Sequence, residues 1–226
     1  GSVSPTNVVS DVIVVQTIPG GAHNKEAAPG HIRAFHVRTG ELKRTFHMVP
    51  RKGEFGYDTW ENGAADYVGN SGTWTMMSAD TENGLVYVSG DTPSNDFYGG
   101  ERLGDGLFVE SVVCIDAKTG KRVWHFQTTH HGVWDYDIPA AAVLHDIVKD
   151  GKRIPAATVL TKQSLVFVFN RLTGEPVWPI EERPVPASDI PGEAPAGEFP
   201  VVVWAGAEEE GLNHALTEIL VGGGLP

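Results

Sequence analysis

Short runs of apolar and β-branched residues alternate with Gly, Pro, Asn and Asp through the first two hundred positions of the chain. This spacing has hardly any helical period and is typical of β-strands joined by turns. The pattern therefore predicts an all-β protein. The predicted strands cover residues 8–17, 31–37, 73–79, 85–90, 111–116, 123–128, 156–161, 165–170 and 176–180.

Three segments repeat one design, namely an apolar strand, a basic residue, Thr-Gly and a second strand. They are HIRAFHVRTGELKRTFH (31–47), SVVCIDAKTGKRVWHFQ (111–127) and SLVFVFNRLTGEPVWPI (164–180). The glycine can adopt the positive φ that a hairpin turn requires. Repeated four-stranded units of this kind predict propeller blades, in which stacked sheets bury each other's faces.

One position after each Thr-Gly turn distinguishes the copies. Trp124 and Trp178 stand four residues past the glycine in two copies, and Arg44 takes this place in the first. The tryptophans are predicted to dock neighbouring blades, whereas Arg44 leaves the packing of the first blade open. Long insertions separate the copies, the largest over residues 48–73, and such insertions commonly build one binding face.

Composition excludes some classes of function. The 226 residues carry a net charge of −12 without a basic block, so nucleic acid is not expected as a partner. No run of about 18 apolar residues predicts a membrane span. The segment after Ile180 is Pro-rich, and we expect residues 1–194 to form the propeller part and residues 195–226 to form a Pro/Gly-rich, acidic tail with a short helix.

The densest group of chemically active side chains is VWHFQTTHHGVWDYD, residues 123–137. Ionisable residues between aromatic ones are costly to bury unless they have a task. We therefore expect Asp135 to take part in the function.

Several strings of the chain resemble the pyrroloquinoline quinone (PQQ)-dependent dehydrogenases of the membrane-associated glucose, quinate and polyol type. They include KEAAPGHIRAFHVRTGEL, TPSNDFYGGERLGD, VWHFQTTHHGVWDYDIPA and TKQSLVFVFNRLTGEPVWPI, and the resemblance runs from about Val8 to about Glu193. It implies a partial β-propeller, about three four-stranded blades of an eight-bladed ring. It also implies oxidation of a sugar, cyclitol or polyol hydroxyl, with electrons passed to a membrane quinone by a periplasmic, membrane-associated parent protein.

The resemblance assigns roles to three residues, each with a plainer alternative. Asp135 is similar in position to the family's catalytic aspartate, a base for the hydroxyl proton; alternatively it caps the turn before Ile138. Lys162 corresponds to a cation near the quinone oxygens; alternatively it is solvated at a strand start. Trp74 corresponds to the tryptophan that lies flat against PQQ; alternatively it belongs to a blade core.

The same resemblance implies Ca²⁺ or Mg²⁺, which prefer oxygen ligands. Asp91 and Asp135 are the candidate ligands, although Asp91 also suits an ordinary turn. His130 and His131 would point to opposite faces of a strand and so could not chelate one metal. One of them could contact substrate or support Asp135, and Asp137 is interpreted as structural.

A second interpretation is a non-catalytic propeller piece that offers its faces to partners. Trp74, Asp135 and Lys162 together argue against it, because a scaffold has no need of all three. In either case, three blades of a larger ring leave sheet faces and edges uncovered, and we expect self-association of the isolated chain.

Overall fold

The computed structural model describes residues 5–17, 20–182 and 188–193. Its strands form antiparallel sheets in which each strand pairs with the next one along the chain. The first sheet contains β1 (Asn7–Val9), β2 (Val12–Val15), β3 (His31–His36) and β4 (Leu42–His47).

The second and third sheets repeat this meander. The second contains β5 (Ser78–Asp80), β6 (Leu85–Ser89), β7 (Ser111–Asp116) and β8 (Arg122–Gln127). The third contains β9 (Val143–Lys149), β10 (Lys152–Leu160) and β11 (Val166–Asn170). The predicted all-β, propeller-type architecture is confirmed, and each sheet is one blade.

Some strand predictions were wrong in detail. The segment predicted from residue 73 becomes a strand only at Ser78, and β9 was missed altogether. The strand predicted over residues 176–180 is reduced to one bridge between Phe169 and Pro176. The bridge is flanked by hydrogen bonds from Asn170 N to Glu175 O and from Val177 N to Val168 O, both at 2.8 Å. In this register the next donor to β11 would be Pro179, which has no N–H, so the fourth strand of the third blade does not continue.

The Thr-Gly turns have the conformation that the repeat predicts. Gly40, Gly120 and Gly174 have φ of 70°, 72° and 78°, a region that glycine adopts without steric cost. Each turn joins the strand before it to the next strand or bridge in the same blade, and this sets the register of the outer strands.

Side chains along the strands of the second blade point alternately towards the first and the third blade, and both interfaces are filled. Val86 and Val88 of β6 lie in the core shared with the first blade, whereas Leu85 and Tyr87 lie in the core shared with the third. Successive side chains of a strand point to opposite faces, so a strand buried on both sides is apolar throughout. The middle blade is therefore the best-buried part of the chain.

Trp124 and Arg44 make comparable contacts between blades. The indole of Trp124 lies against Gly174, and its Nε1 donates to the carbonyl of Arg171 at 2.9 Å. Arg44 lays its aliphatic stem on Gly120, and its Nε donates to the carbonyl of Lys118 at 3.1 Å. Arginine thus takes the tryptophan's place on the next blade's turn, with less apolar area.

The connections between strands differ at the two ends of the blades. Turns of two to five residues follow β1, β3, β5, β7 and β9, whereas segments of 15 to 30 residues follow β2, β4, β6 and β8 and a five-residue loop follows β10. Because the sheets are antiparallel meanders, the ends of all even-numbered strands lie at the same end of the blades. The insertions over residues 16–30, 48–77, 90–110 and 128–142 therefore build one face.

Within the described residues, no helix has the length and hydropathy needed to cross a membrane. The predicted short helix and acidic tail, residues 195–226, lie outside the part of the chain that the structure describes.

Candidate active site

Side chains from three insertions and the β10–β11 loop meet at the face that follows the even-numbered strands. Trp74 comes from the segment after β4, and Asp91 follows β6. Asp135 and Asp137 follow β8, and Lys162 follows β10. Strand order alone delivers these residues to the same end of three adjacent blades.

Lys162 contacts both aspartates of the site. Its Nζ donates to Asp135 Oδ2 at 2.9 Å and to the main-chain carbonyl of Asp135 at 2.8 Å. It also forms an ion pair with the buried carboxylate of Asp137. Partial burial lowers the pKa of Lys162, but the hydrogen bonds to Asp137 and Asp135 outweigh it and the pKa is raised. Lys162 is therefore a cation bound by two carboxylates and not a solvated side chain.

Trp74 lies beside this cation. The Lys162 Nζ is 5.9 Å from the centre of the indole ring, within the range of a cation–π contact. The Trp74 Nε1 donates to the second oxygen of Asp137. The side chain remains 40% exposed, so the tryptophan is fixed at its polar edge while part of its ring is open.

Asp137 is buried, whereas Asp135 is partly exposed. The side chain of Asp137 is 1% exposed and that of Asp135 is 35% exposed. Burial and the neighbouring Asp135 raise the pKa of Asp137 more than Lys162 and Trp74 lower it. Asp137 anchors Trp74 and Lys162, and this role goes beyond the structural one that the sequence suggested.

Two further carboxyl groups surround this pair. Burial, followed by the charges of Asp137 and Asp96, raises the pKa of Asp91 to about 8. Burial and the charge of Asp135 raise the pKa of Asp96 to about 6. One oxygen of Asp91 accepts a hydrogen bond from the amide of Thr92 at 3.0 Å. Acidic groups with raised pKa values are frequent at functional sites.

The two histidines do not lie on a strand, so the strand geometry predicted to separate them was wrong. They follow the end of β8, and His131 has a φ of 50°. His130 contacts Gln127 Oε1 at 2.8 Å and Glu182 Oε1 at 3.3 Å. His131 is buried, and its Nδ1 lies 3.2 Å from the carbonyl of Gly104. The two rings nevertheless have separate partners.

Comparison with known proteins identifies the family. The family model described as PQQ glucose/ethanol/alcohol dehydrogenase, beta-propeller domain, matches residues 1–217. The chain belongs to this family of PQQ-dependent dehydrogenases. The match includes much of the segment after residue 194 that was predicted to be a separate tail.

Several members of the PQQ-dependent dehydrogenase family are similar to the chain over most of its length. Quinoprotein glucose dehydrogenase A of Acinetobacter calcoaceticus is 36% identical over 193 residues, which are 84% of this chain and 24% of that protein. The glycerol dehydrogenase large subunit of Gluconobacter thailandicus is 36% identical over 194 residues, 84% of this chain and 26% of that subunit. The chain thus spans about a quarter of the length of these relatives.

Solved structures agree on the fold. The quinohemoprotein alcohol dehydrogenase of Comamonas testosteroni superposes with a TM-score of 0.68 at 26% identity, covering 89% of this chain and 31% of that one. The corresponding enzyme ADHIIG of Pseudomonas putida HK5 gives the same TM-score and identity and covers 81% of this chain and 29% of that one.

The residues present fit one side of a PQQ site. PQQ is a flat, acidic quinone, and the half-open indole of Trp74 beside the cation of Lys162 suits its ring and its oxygens. For a metal, no group of three or more His, Cys, Asp or Glu side chains within residues 5–17, 20–182 and 188–193 is placed to hold an ion. Asp91 and Asp135 as ligands stay a prediction.

Proposed function

We propose that this chain is the part of a PQQ-dependent dehydrogenase that supplies the base and one wall of the cofactor site. The parent protein oxidises a hydroxyl group of a sugar, cyclitol or polyol and passes the electrons to a membrane quinone. Ca²⁺ or Mg²⁺ is the expected metal, and the parent is periplasmic and membrane-associated. The names of the glucose and glycerol dehydrogenases to which the chain is similar support this substrate class.

The convergence of Trp74, Asp135 and Lys162 on one point carries the proposal. Oxidation of an alcohol requires removal of the hydroxyl proton, and the partly open carboxylate of Asp135 is available to accept it. Lys162 fixes this carboxylate through its contact with Oδ2. The same ammonium group offers a positive charge where negative charge develops in the reaction.

Trp74 and Asp137 form the surface against which the cofactor would lie. PQQ, when bound, supplies the quinone that accepts the electrons. The hydrogen bond from Trp74 to Asp137 fixes the angle of the indole, and Asp137 also holds Lys162. One buried carboxylate therefore sets the mutual position of the stacking surface and the cation.

The decisive experiment replaces Asp135 in the full-length parent. The purified parent is loaded with PQQ and Ca²⁺, and reduction of an artificial dye by glucose, glycerol and quinate is followed. Asp135→Asn is expected to lower turnover by at least about a hundredfold, as for loss of a general base. Asp150→Asn is the matched control, because Asp150 lies in the turn after β9, at the opposite end of the blades. Turnover at the wild-type rate in Asp135→Asn would refute the proposed role of Asp135 as the base.

A binding titration tests the cofactor surface separately. PQQ and Ca²⁺ are added to the parent, and quenching of tryptophan fluorescence is recorded. Trp74→Phe is expected to weaken PQQ binding, whereas Trp178→Phe, in which the replaced indole contacts Lys149, the last residue of β9, is expected to leave it unchanged. Equal effects of the two substitutions would contradict a stacking role for Trp74.

A further inference from the structure

Glu110 is a fully buried carboxyl group that the proposed chemistry does not use. It directly precedes β7 and its side chain is 0% exposed. Its burial involves residues of this chain alone, so blades outside the chain are not needed to explain it. A buried carboxyl without an evident task is a candidate for a role in the site.

The carboxyl group of Glu110 lies between two segments of the site. Thr92 Oγ1 donates to Glu110 Oε1 at 3.1 Å, and Thr92 directly follows Asp91. On the other side, a Cβ at Gly132 would lie 2.2 Å from Oε2 and 2.3 Å from Oε1. Gly132 does not have a left-handed φ, so its backbone does not require glycine. The Glu110 carboxyl occupies the space of a side chain at position 132.

The main chain of Glu110 connects the same two segments. Its amide donates to the carbonyl of Asp91 at 3.2 Å. Its carbonyl accepts hydrogen bonds from the amide and the hydroxyl of Thr128, at 2.8 Å and 2.7 Å. Asp91 is a candidate ligand, and Thr128 begins the loop that leads to Asp135. Glu110 therefore joins the loops after β6 and β8 through both its backbone and its side chain.

Arg102 holds the far side of the same loop. It is 2% exposed, and its Nη2 donates to the carbonyl of Gly132 at 2.6 Å. Its Nε and Nη2 also donate to the carbonyl of Asn95, at 3.0 Å and 2.8 Å. Gly132 is thus held at its carbonyl by Arg102 and packs directly against the Glu110 carboxyl, three residues before Asp135.

Stability alone does not account for this carboxyl group. Burial raises the pKa of Glu110 to about 7, by more than the charge of Arg102 and the hydrogen bonds from Thr92 and the Gly132 amide lower it. Within the described residues, Oε2 has no well-directed hydrogen bond, so burying this carboxyl costs stability. An apolar side chain would fill the same space without that cost. The carboxyl is therefore better explained by the arrangement that it imposes on Thr92 and Gly132.

We propose that Glu110 is a positioning residue that fixes the loop carrying Asp135 and Asp137 against the segment carrying Asp91. The consequence for catalysis rests on the proposed function, whereas the positioning itself does not. It also explains the glycine at position 132, which leaves room for the carboxyl.

Amide hydrogen exchange of the full 226-residue chain tests the positioning without a cofactor. Glu110→Ala is expected to raise exchange by about tenfold over residues 91–96 and 128–137 while leaving β2 to β4 unchanged. Glu110→Gln keeps the size and an oxygen for Thr92, and it should restore protection. Gly132→Ala alone should also raise exchange in these two segments, because the new Cβ would collide with the Glu110 carboxyl. Added to Glu110→Ala, the same substitution should cause no further increase, because the carboxyl is gone and the Cβ has space.

Exchange that rises uniformly through all three sheets, or that does not change near Asp135, would overturn the proposal. PQQ titration of the parent gives the second measurement. About tenfold weaker binding in Glu110→Ala, restored in Glu110→Gln, supports the role in the site, and unchanged affinity with opened loops refutes that role. A wild-type parent that binds no PQQ would refute the proposed function, and hydrogen exchange alone would then decide whether Glu110 positions the two loops.

Discussion

The indole Nε1 of Trp74 donates a hydrogen bond to the carboxylate of Asp137, across 63 positions of sequence. The other oxygen of Asp137 contacts Lys162, which lies 25 positions further on. One buried side chain, that of Asp137, thereby joins Trp74 in the segment after β4 to Lys162 in the loop after β10. The site is organised around Asp137, while Asp135 remains partly open at its edge.

This relationship predicts a cost for removing the anchor. Asp137→Ala would leave the Trp74 N–H without this acceptor and Lys162 with only Asp135 as its carboxylate. We expect the free energy of unfolding to fall by about 1–3 kcal/mol, as for other buried hydrogen-bonded groups. Urea unfolding followed by circular dichroism measures it. Arg153→Ala, which removes an ion pair of a 77% exposed side chain, is the control and should cost less than about 1 kcal/mol.

A loss in Asp137→Ala no larger than in the control would show that Asp137 is not an anchor. Asp137→Asn separates charge from hydrogen bonding, because the amide retains an acceptor for Trp74. We expect this variant to be intermediate in stability, since the attraction to Lys162 is weakened while the Trp74 contact persists.

The sequence predicted the parts of the fold that depend on local spacing. The apolar runs of β6 and β7 and the turns at Gly120 and Gly174 are short-range features, and they indicated sheets stacked as blades. The resemblance named Trp74, Asp135 and Lys162, and the structure brings them together, although their chemical roles stay predictions. β9 was missed because His145 and Asp146 interrupt its apolar pattern.

The supporting residues were harder to predict because their contacts are long-range. The partners of Asp137 lie in the loop before β5 and at the end of β10, and nothing local marks them. Glu110 stands in the apolar context FVESVV, and its partners Thr92 and Gly132 lie 18 positions before it and 22 positions after it. The one available signal was a charged residue at the start of a strand that is buried on both faces.

Arg44 and Trp124 predict unequal blade interfaces. Trp124→Ala removes a buried indole from the interface with the third blade and should cost about 3–5 kcal/mol of unfolding free energy. Arg44→Ala removes an exposed hydrogen bond from the guanidinium group to the carbonyl of Lys118 and a small apolar contact with Gly120. It should lower the free energy of unfolding by about 1 kcal/mol. Chemical unfolding of both variants checks the ratio. Equal losses would contradict the view that arginine docks the first blade less firmly.

The acid stability of the chain should depend on a partly buried neutral histidine, His125. Burial, followed by the charge of Arg122, lowers the pKa of His125 from 6.5 to about 4. The unfolded chain therefore binds the proton first as the pH falls. The contribution is complete above about pH 6.5 and is lost progressively towards pH 4, by at most about 1.4 kcal/mol per pH unit.

His125→Gln isolates this contribution. The amide oxygen can still accept from Arg122, as His125 Nδ1 does at 3.0 Å, but the side chain does not titrate. The difference in unfolding free energy between wild type and variant should shrink between pH 6.5 and pH 4.5. A difference that is constant over this range would mean that His125 titrates alike in the folded and unfolded chains.

Exposed apolar side chains on the third blade predict self-association. Val143 on β9 and Leu160 on β10 are 50% and 43% exposed, although β-branched and aliphatic residues normally lie inside. They lie on the same face of the sheet, because Val143 pairs with Thr158, two residues before Leu160. Light scattering of the chain over a hundredfold concentration range should show a rising mass, because these residues lose water contact when two chains meet. Leu160→Lys should shift the onset to higher concentration, whereas Lys152→Gln, an exposed substitution at the other end of β10, should not. A constant monomer mass for the wild type would contradict an association surface on this blade.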